Sequence, residues 1–283
     1  MIGFNALGKM GRLGNQMFQY AALRGISANA KTDFCFPFRT KGVPEGWGNT
    51  LKTELFDAFK MQSVQPHNIK MFRINNKPAP VTHEKISSIH FDEKLFRACP
   101  DNTSLRGYFQ TEKYFKNVEN TIRKDFQFHD PVVESCNKII KSLDEPIALH
   151  IRRADYLHEA VFLGFLGESY YKKALEHFEA NRQVIVFSDD PEWCKQSTLL
   201  NKPRFLISER ARNTDLCLMS MCSDSIIANS SFSWWGAWLA NRGKVVSPRS
   251  WYGQPKPLQK TSGVDIHKEH TQDLLPQSWI KIS

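Results

Sequence analysis

The sequence predicts an α/β protein built on parallel sheets, and three observations predict it. From about residue 145 onward, short and wholly apolar segments alternate with segments of helical period. The chain opens on strand, glycine-rich loop and helix, "IGFNALGKMGRLGNQMFQYAALRGISANA". Polar and charged residues gather where the apolar segments end, which is where open parallel sheets bind ligands. At 283 residues the chain is long enough for two domains.

The first half is the less regular one. After the opening strand and helix, "DFCFPF" reads as another strand. Residues 39–104 are rich in Pro, Asn, Lys and Phe with weak periodicity, so irregular structure and insertions are expected there. A strand over Leu105–Phe109 and an amphipathic helix in "TEKYFKNVENTIRKDF" follow. A boundary falls within 128–145, giving domains of 1–135 and 136–283.

In the second half each strand is followed by a helix, except the last. "PIALHI" is a buried strand, and "GESYYKKALEHFEA" is helical, with Tyr171, Leu175 and Phe178 at helical spacing. "RQVIVFSDD" is a second strand ending in acids. In "DPEWCKQS", Asp190 is the expected N-cap and Pro191 the first helical residue. "RFLIS", "DSIIANS" and "GKVVSP" are three more strands, separated by the helices "NTDLCLMSMCS" and "SFSWWGAWLANR". Continuous apolar strands of this kind belong to a parallel sheet covered on both faces.

Composition narrows the function. No run of eighteen apolar residues occurs, so no membrane-spanning helix is expected. The N-terminus lacks the basic region and cleavage site of a signal peptide, which points to a cytoplasmic protein with at most peripheral contact at the inner face of the membrane. The six cysteines form no CxxC pair and read as reduced. Lys and Arg outnumber Asp and Glu by 38 to 29, which favours an anionic partner. The charge forms no continuous basic run and no nucleic-acid module is recognisable, so no nucleic acid is expected.

The strand ends carry the chemistry. In "PIALHIRRADY", His150, Arg152, Arg153 and Asp155 follow a strand, and an arginine fork matches phosphate oxygens. A surface Arg–Asp pair ending a strand would look the same. In "ANSSFSWWGAWLA", Ser230, Ser231 and Ser233 open a helix whose free N–H groups attract an anion. A plain serine N-cap is the alternative. Trp234, Trp235 and Trp238 read as core rather than as a sugar platform. In "GRLGNQ", Gly11 and Gly14 permit close backbone approach, and Arg12, Asn15 and Gln16 are donors.

Together "GRLGNQMFQYA", "LHIRRADY", "VFSDDPEWC" and "DLCLMSMCSDSIIANSSFSWWGAWLA" resemble the α-1,2-fucosyltransferases of glycosyltransferase family 11, in their bacterial form, over nearly the whole chain. The resemblance implies a GT-B-type fold of two Rossmann-like domains facing across a cleft, with GDP-fucose on the C-terminal domain. It implies inverting transfer of fucose to the 2-hydroxyl of a β-galactoside, and no cofactor or metal. Arg152 matches the essential arginine and would bind the β-phosphate. Arg153 would bind phosphate or hold the loop through Asp155. Ser230 and Ser231 would complete the phosphate site, and Arg12 and Asn15 would reach the donor from the other domain. His150 and Asp215 are the candidates for reading guanine. For the general base, Asp155, Glu159 and Glu168 stay open, as does a mechanism needing little base. Ala154 stands where the family usually has Gly. A GT-B transferase using another GDP-sugar, and a binding protein without turnover, are the competing readings.

Overall fold

The computed structural model describes residues 1–44, 50–83, 90–153, 164–252 and 273–283. The chain forms two compact units, Met1–His129 and Asp130–Ser283.

In the second unit six parallel strands form one sheet. Its order is Phe205–Ile207, Val184–Ser188, Ile147–Ile151, Asp224–Ile226, Val245–Pro248 and Ile280–Ile282. Counted along the chain this is 3-2-1-4-5-6, the doubly wound dinucleotide-binding order. Strand order reverses between Ile147–Ile151 and Asp224–Ile226, so ligands are expected at the carboxyl ends of those two strands. The pleat sends alternate residues to opposite faces. Ile147, Leu149 and Ile151 join Val184, Val186 and Tyr171 in the core on one face. His150 lies on the other, its ring 5.8 Å from that of Phe232.

The helices cover both faces as the apolar strands require. Asp190 caps helix Pro191–Gln196, its carboxylate accepting the Trp193 N–H at 3.1 Å, with Pro191 at the first position. Helix Ser231–Ala240 is capped by Ser230 and carries Trp234 and Trp235, both fully buried; the indole pair packs edge to face at 5.0 Å. The tryptophans are therefore core. This helix packs on helix Arg212–Met221 so closely that a Cβ on Gly236 would stand 2.9 Å from that of Met219.

Two features of this unit depart from the sequence reading. Residues 128–145 contain a helix, Asp130–Ile140, which spans the 135/136 division and belongs whole to the second unit. It packs on helix Arg212–Met221, with the Cys136 thiol 3.5 Å from the Thr214 carbonyl. Ile280–Ile282 is a sixth strand, pairing with Val245–Pro248. Its sequence, Ile-Lys-Ile, is part-exposed throughout and lacks a continuous apolar run.

The first unit holds a four-stranded parallel sheet, ordered Phe34–Cys35, Ile2–Gly3, Thr103–Arg106, Val81–His83. Val81–His83 falls inside the stretch expected to be irregular, whose described residues also form two short antiparallel strand pairs, the short helices Leu55–Ala58 and Glu93–Arg97 and a 3-10 turn, Pro66–Asn68. The strand expected at Leu105–Phe109 lies two residues earlier and ends three residues earlier. Its first residues are polar yet buried, because Thr103 bonds Thr82 at 2.6 Å and Ser104 accepts the Asn5 N–H at 2.9 Å. The expected amphipathic helix breaks into two 3-10 turns and the short helix Glu119–Asp125.

Helix Leu13–Asn29 follows the first strand of this unit. Its Leu13 N–H donates to the buried Glu54 carboxylate at 2.7 Å, so an acid from a distant segment meets the helix dipole. Gln16 answers by accepting the Glu54 N–H at 2.9 Å. Among the described residues no helix is long and apolar enough to cross a membrane.

Candidate active site

The carboxyl edge of the second sheet gathers most of the residues singled out above. Ser188 lies opposite Ile151 in the strand register, so the next residues of the two strands face each other. Arg152 and Asp189 form an ion pair there, Nη1 to Oδ2 at 3.1 Å. The other oxygen of Asp189 accepts the Arg153 N–H at 2.9 Å. Arg153 turns to Asp190, Nε to Oδ2 at 3.2 Å, and its guanidinium lies 3.9 Å over the Trp193 ring. Both arginine side chains are largely buried. The acid pair at residues 189 and 190 therefore does more than end a strand and cap a helix: it holds both arginines.

His150 is buried on the strand before Arg152. Burial, reinforced by the Arg152 charge, pushes its imidazole down to about 3, so it is neutral at physiological pH. Its Nδ1 is buried with no hydrogen-bond partner among the described residues. Such an atom is costly to leave unpaired and suits a polar ligand.

On the far side of the switch point, Asp224–Ile226 runs into Asn229, Ser230 and Ser231. Asn229 is buried and its amide donates to the Gly164 and Trp251 carbonyls at 2.8 and 2.9 Å, which fixes this turn. Ser230 Oγ accepts the Phe232 N–H at 3.4 Å, the capping contact expected of it. Ser231 begins the helix. Ser233 Oγ donates to the Ala228 carbonyl and is structural.

Asp215 lies two strands away from the arginines, beyond the end of Phe205–Ile207. Its Oδ1 accepts the Ser208 hydroxyl at 2.6 Å, and Arg210 donates to the same Ser208 oxygen at 3.2 Å. Burial raises the Asp215 carboxyl to about 6, against the opposing pull of Ser208 and Arg210. The four strand ends from Phe205–Ile207 to Asp224–Ile226 span about 14 Å at the usual strand spacing. Along that row stand a carboxylate, two arginines and a helix N-terminus. An extended nucleoside diphosphate has matching chemistry: a base with N–H donors at one end and phosphates at the other.

In the first unit, Arg12 is the N-cap residue of helix Leu13–Asn29. Gly11 has φ +75°, and a Cβ there would meet the Asn15 amide nitrogen at 2.3 Å. Glycine is thus needed both for the turn and for space. Asn15 Oδ1 accepts from Gln110 at 2.8 Å. Gln16 is not available to a ligand: it is fully buried and donates to the Gly11 and Lys52 carbonyls. Asn15 and Gln110 sit where this sheet, too, reverses its order, after Ile2–Gly3 and Thr103–Arg106.

Asp155 and Glu159 lie outside the described residues. Glu168 opens helix Glu168–Leu175 and accepts the Ser197 hydroxyl at 2.7 Å. Asp189, Asp190 and Trp193 were missed as site residues. The signal that could have found them was the acid pair at the end of the strand that follows the arginine strand in the chain.

A family model described as Glycosyl transferase family 11 matches residues 1–262. The O-antigen biosynthesis glycosyltransferase WbnK of Escherichia coli is 36% identical, covering 86% of this chain and 93% of that protein. An alpha-1,2-colitosyltransferase of Escherichia coli is 28% identical, covering 96% of each. Galactoside alpha-(1,2)-fucosyltransferase 1 of Alouatta belzebul is 27% identical over 81% of this chain and 63% of that protein. Among solved structures, POFUT1 in complex with GDP superposes with a TM-score of 0.52 at 15% identity, over 85% of this chain and 94% of that one. That likeness is one of fold, a GT-B type with two Rossmann-like units. A match along nearly the whole sequence, which includes every segment that builds the carboxyl-edge site, makes this chain a glycosyltransferase and a member of family 11.

Proposed function

We propose that this chain transfers fucose from GDP-fucose to the 2-hydroxyl of a β-galactoside, with inversion, to give an α-1,2-fucoside. The observation that carries the reading is the pair of held arginines at the switch point, one strand from a serine-capped helix N-terminus. When the bond from fucose C1 to the β-phosphate oxygen breaks, negative charge develops on GDP. Fixed donors aimed at that charge lower the barrier. Arg152, the serines Ser230 and Ser231 and the N–H groups that follow them in the helix's first turn are assigned to it. Asp215 is assigned to guanine, whose N1–H and 2-amino group both donate to a carboxylate. His150, beside Arg152, is assigned to the donor near its phosphates rather than to guanine. Arg12 and Asn15 are the first unit's candidates for donor contact. The acceptor hydroxyl attacks from the face opposite GDP and passes its proton to a base among Asp155, Glu159 and Glu168, or to solvent.

The test is a donor panel with a β-galactoside acceptor. GDP-fucose is expected to give the highest kcat/KM. The colitosyl relative supplies the specific rival. Colitose is fucose without its 3-hydroxyl, and a site built to hydrogen-bond that hydroxyl rejects the deoxy sugar by as much as about 10⁴–10⁵-fold. Preferred transfer from GDP-colitose or GDP-mannose replaces the donor assignment. In excess EDTA the rate is expected to be unchanged, since arginines and N–H groups are assigned the charge a metal would carry. Loss of activity restored only by a divalent ion contradicts that assignment.

The guanine contact sets a pH dependence. Asp215 must be ionised to accept from guanine, and burial holds its carboxyl at about 6, with Ser208 donating to it and Arg210 and Cys136 as its charged or titratable neighbours. Because the folded pKa is raised above 3.8, the buried carboxyl favours the fold at low pH and loses that contribution as pH rises through about 6. Binding runs the other way. GDP-fucose affinity is expected to fall about tenfold from pH 7 to pH 5, following the ionised fraction. GDP-fucose is the right probe because its esterified β-phosphate does not titrate in this range. Calorimetry should give a flat, weak profile for Asp215→Asn; a flat wild-type profile contradicts the contact.

A further inference from the structure

We infer that Asp189 is a positioning residue that aims the Arg152 guanidinium, and that Arg153, held by Asp190, serves this clamp and not the donor. The inference rests on the donor reading above and deepens it.

The clamp follows from strand order. Val184–Ser188 is the immediate neighbour of Ile147–Ile151, in register to their last residues. The backbone therefore delivers two consecutive acids against two consecutive arginines. Asp189 uses both oxygens, one on the Arg152 guanidinium and one on the Arg153 backbone N–H, so a single carboxylate fixes the side chain and the turn that carries it. Asp190 likewise works twice, capping helix Pro191–Gln196 and accepting from Arg153 Nε. Trp193, in the first turn of that helix, gives the Arg153 guanidinium a flat face at 3.9 Å. With its Nε on Asp190 and its plane on Trp193, Arg153 is locked to the neighbouring strand–helix turn.

The chemistry needs such a clamp. An arginine has a long, many-rotamer side chain, and a phosphate contact made in the transition state gains from a guanidinium already in place. Two adjacent guanidinium groups also repel each other, and two carboxylates offset that before any donor arrives. A carboxylate near the phosphates opposes GDP electrostatically, however. Asp189 therefore serves geometry and not attraction, which separates its effect on rate from its effect on affinity.

Asp189→Asn tests this. The amide keeps the shape and an oxygen for the Arg153 N–H while removing the charge that pairs with Arg152. Expected are a fall in kcat of about 10–100-fold, the usual size for a residue that orients a contacting group, and GDP affinity by calorimetry within about threefold of wild type. In an Arg152→Ala background the same change is expected to cost no further kcat, because its effect passes through Arg152. Asp189→Glu, which displaces the charge by one methylene, is read in the same two backgrounds should the amide variant not fold. Wild-type kcat in the single variants, or an equal loss in both backgrounds, overturns the clamp. A wild-type protein that transfers no sugar from any GDP-sugar fails the donor reading itself, and that result is obtained before any variant is made.

Discussion

Arg152→Lys is expected to transfer fucose about 10²–10³ times more slowly than the wild type, a loss of about 2.7–4 kcal/mol of transition-state stabilisation. Arg152→Ala is expected to be only slightly worse. Lysine keeps the charge but replaces a rigid planar fork by one flexible ammonium, which cannot span two oxygens. Here the fork has a second duty. Nη1 pairs with Asp189 at 3.1 Å, so the same planar group joins a protein carboxylate on one edge and can present donors on another. An ammonium drawn to Asp189 would have no fixed direction toward the phosphate. Steady-state kinetics with GDP-fucose and a β-galactoside provide the check, alongside GDP affinity. Near-native kcat in the lysine variant would mean that Arg152 acts as a diffuse charge or plays no part.

Asp125→Ala is expected to destabilise the first unit by about 3–5 kcal/mol, the cost of stripping the partner from a buried charge. Asp125 is fully buried. Its Oδ2 accepts from the Tyr20 hydroxyl and the Ser63 hydroxyl, each at 2.6 Å, and from Arg24 at 3.0 Å; its Oδ1 accepts the Ser63 N–H at 2.7 Å. Burial, tempered by Arg24, pushes the Tyr20 phenol well above its ordinary value, so the hydroxyl stays protonated and donates. Alanine would leave these donors facing a cavity. Tyr20 and Arg24 belong to helix Leu13–Asn29, whose first turn carries Asn15, so the network also anchors a candidate site residue. Denaturant unfolding measures the loss. Asp125→Asn keeps an acceptor and should cost less, about 1–3 kcal/mol. A loss below about 1 kcal/mol for the alanine variant contradicts the reading of this network as a core constraint.

The second sheet was legible in the sequence because its strands are largely apolar and two of its helices, Pro191–Gln196 and Ser231–Ala240, have capped starts. Asp190–Pro191 is a local signal, and the cap lies where those two residues place it. Local signals failed where the stabilising partner is distant. Thr103 and Ser104 make a strand that no apolar pattern marks, because their hydroxyls find partners inside the core. Glu54 caps a helix that begins forty-one residues earlier in the chain, and nothing near either residue announces it. The same limit applies at the site. Arg152 and Arg153 were visible as strand-end cations, but their partners belong to the next strand, and which strand is next is a property of the sheet. Asp155, the acid closest in sequence, drew attention within the motif, and among the described residues Asp189 and Asp190 are acids in contact with the arginines.

The most direct test of the account is the structure of its product. GDP-fucose and a β-galactoside are incubated with the protein in EDTA, and the purified product is read by NMR. The account predicts one new fucosyl residue, α-configured, on O2 of galactose. Transfer to another hydroxyl, a β-linkage, or product only when a divalent ion is restored would contradict it.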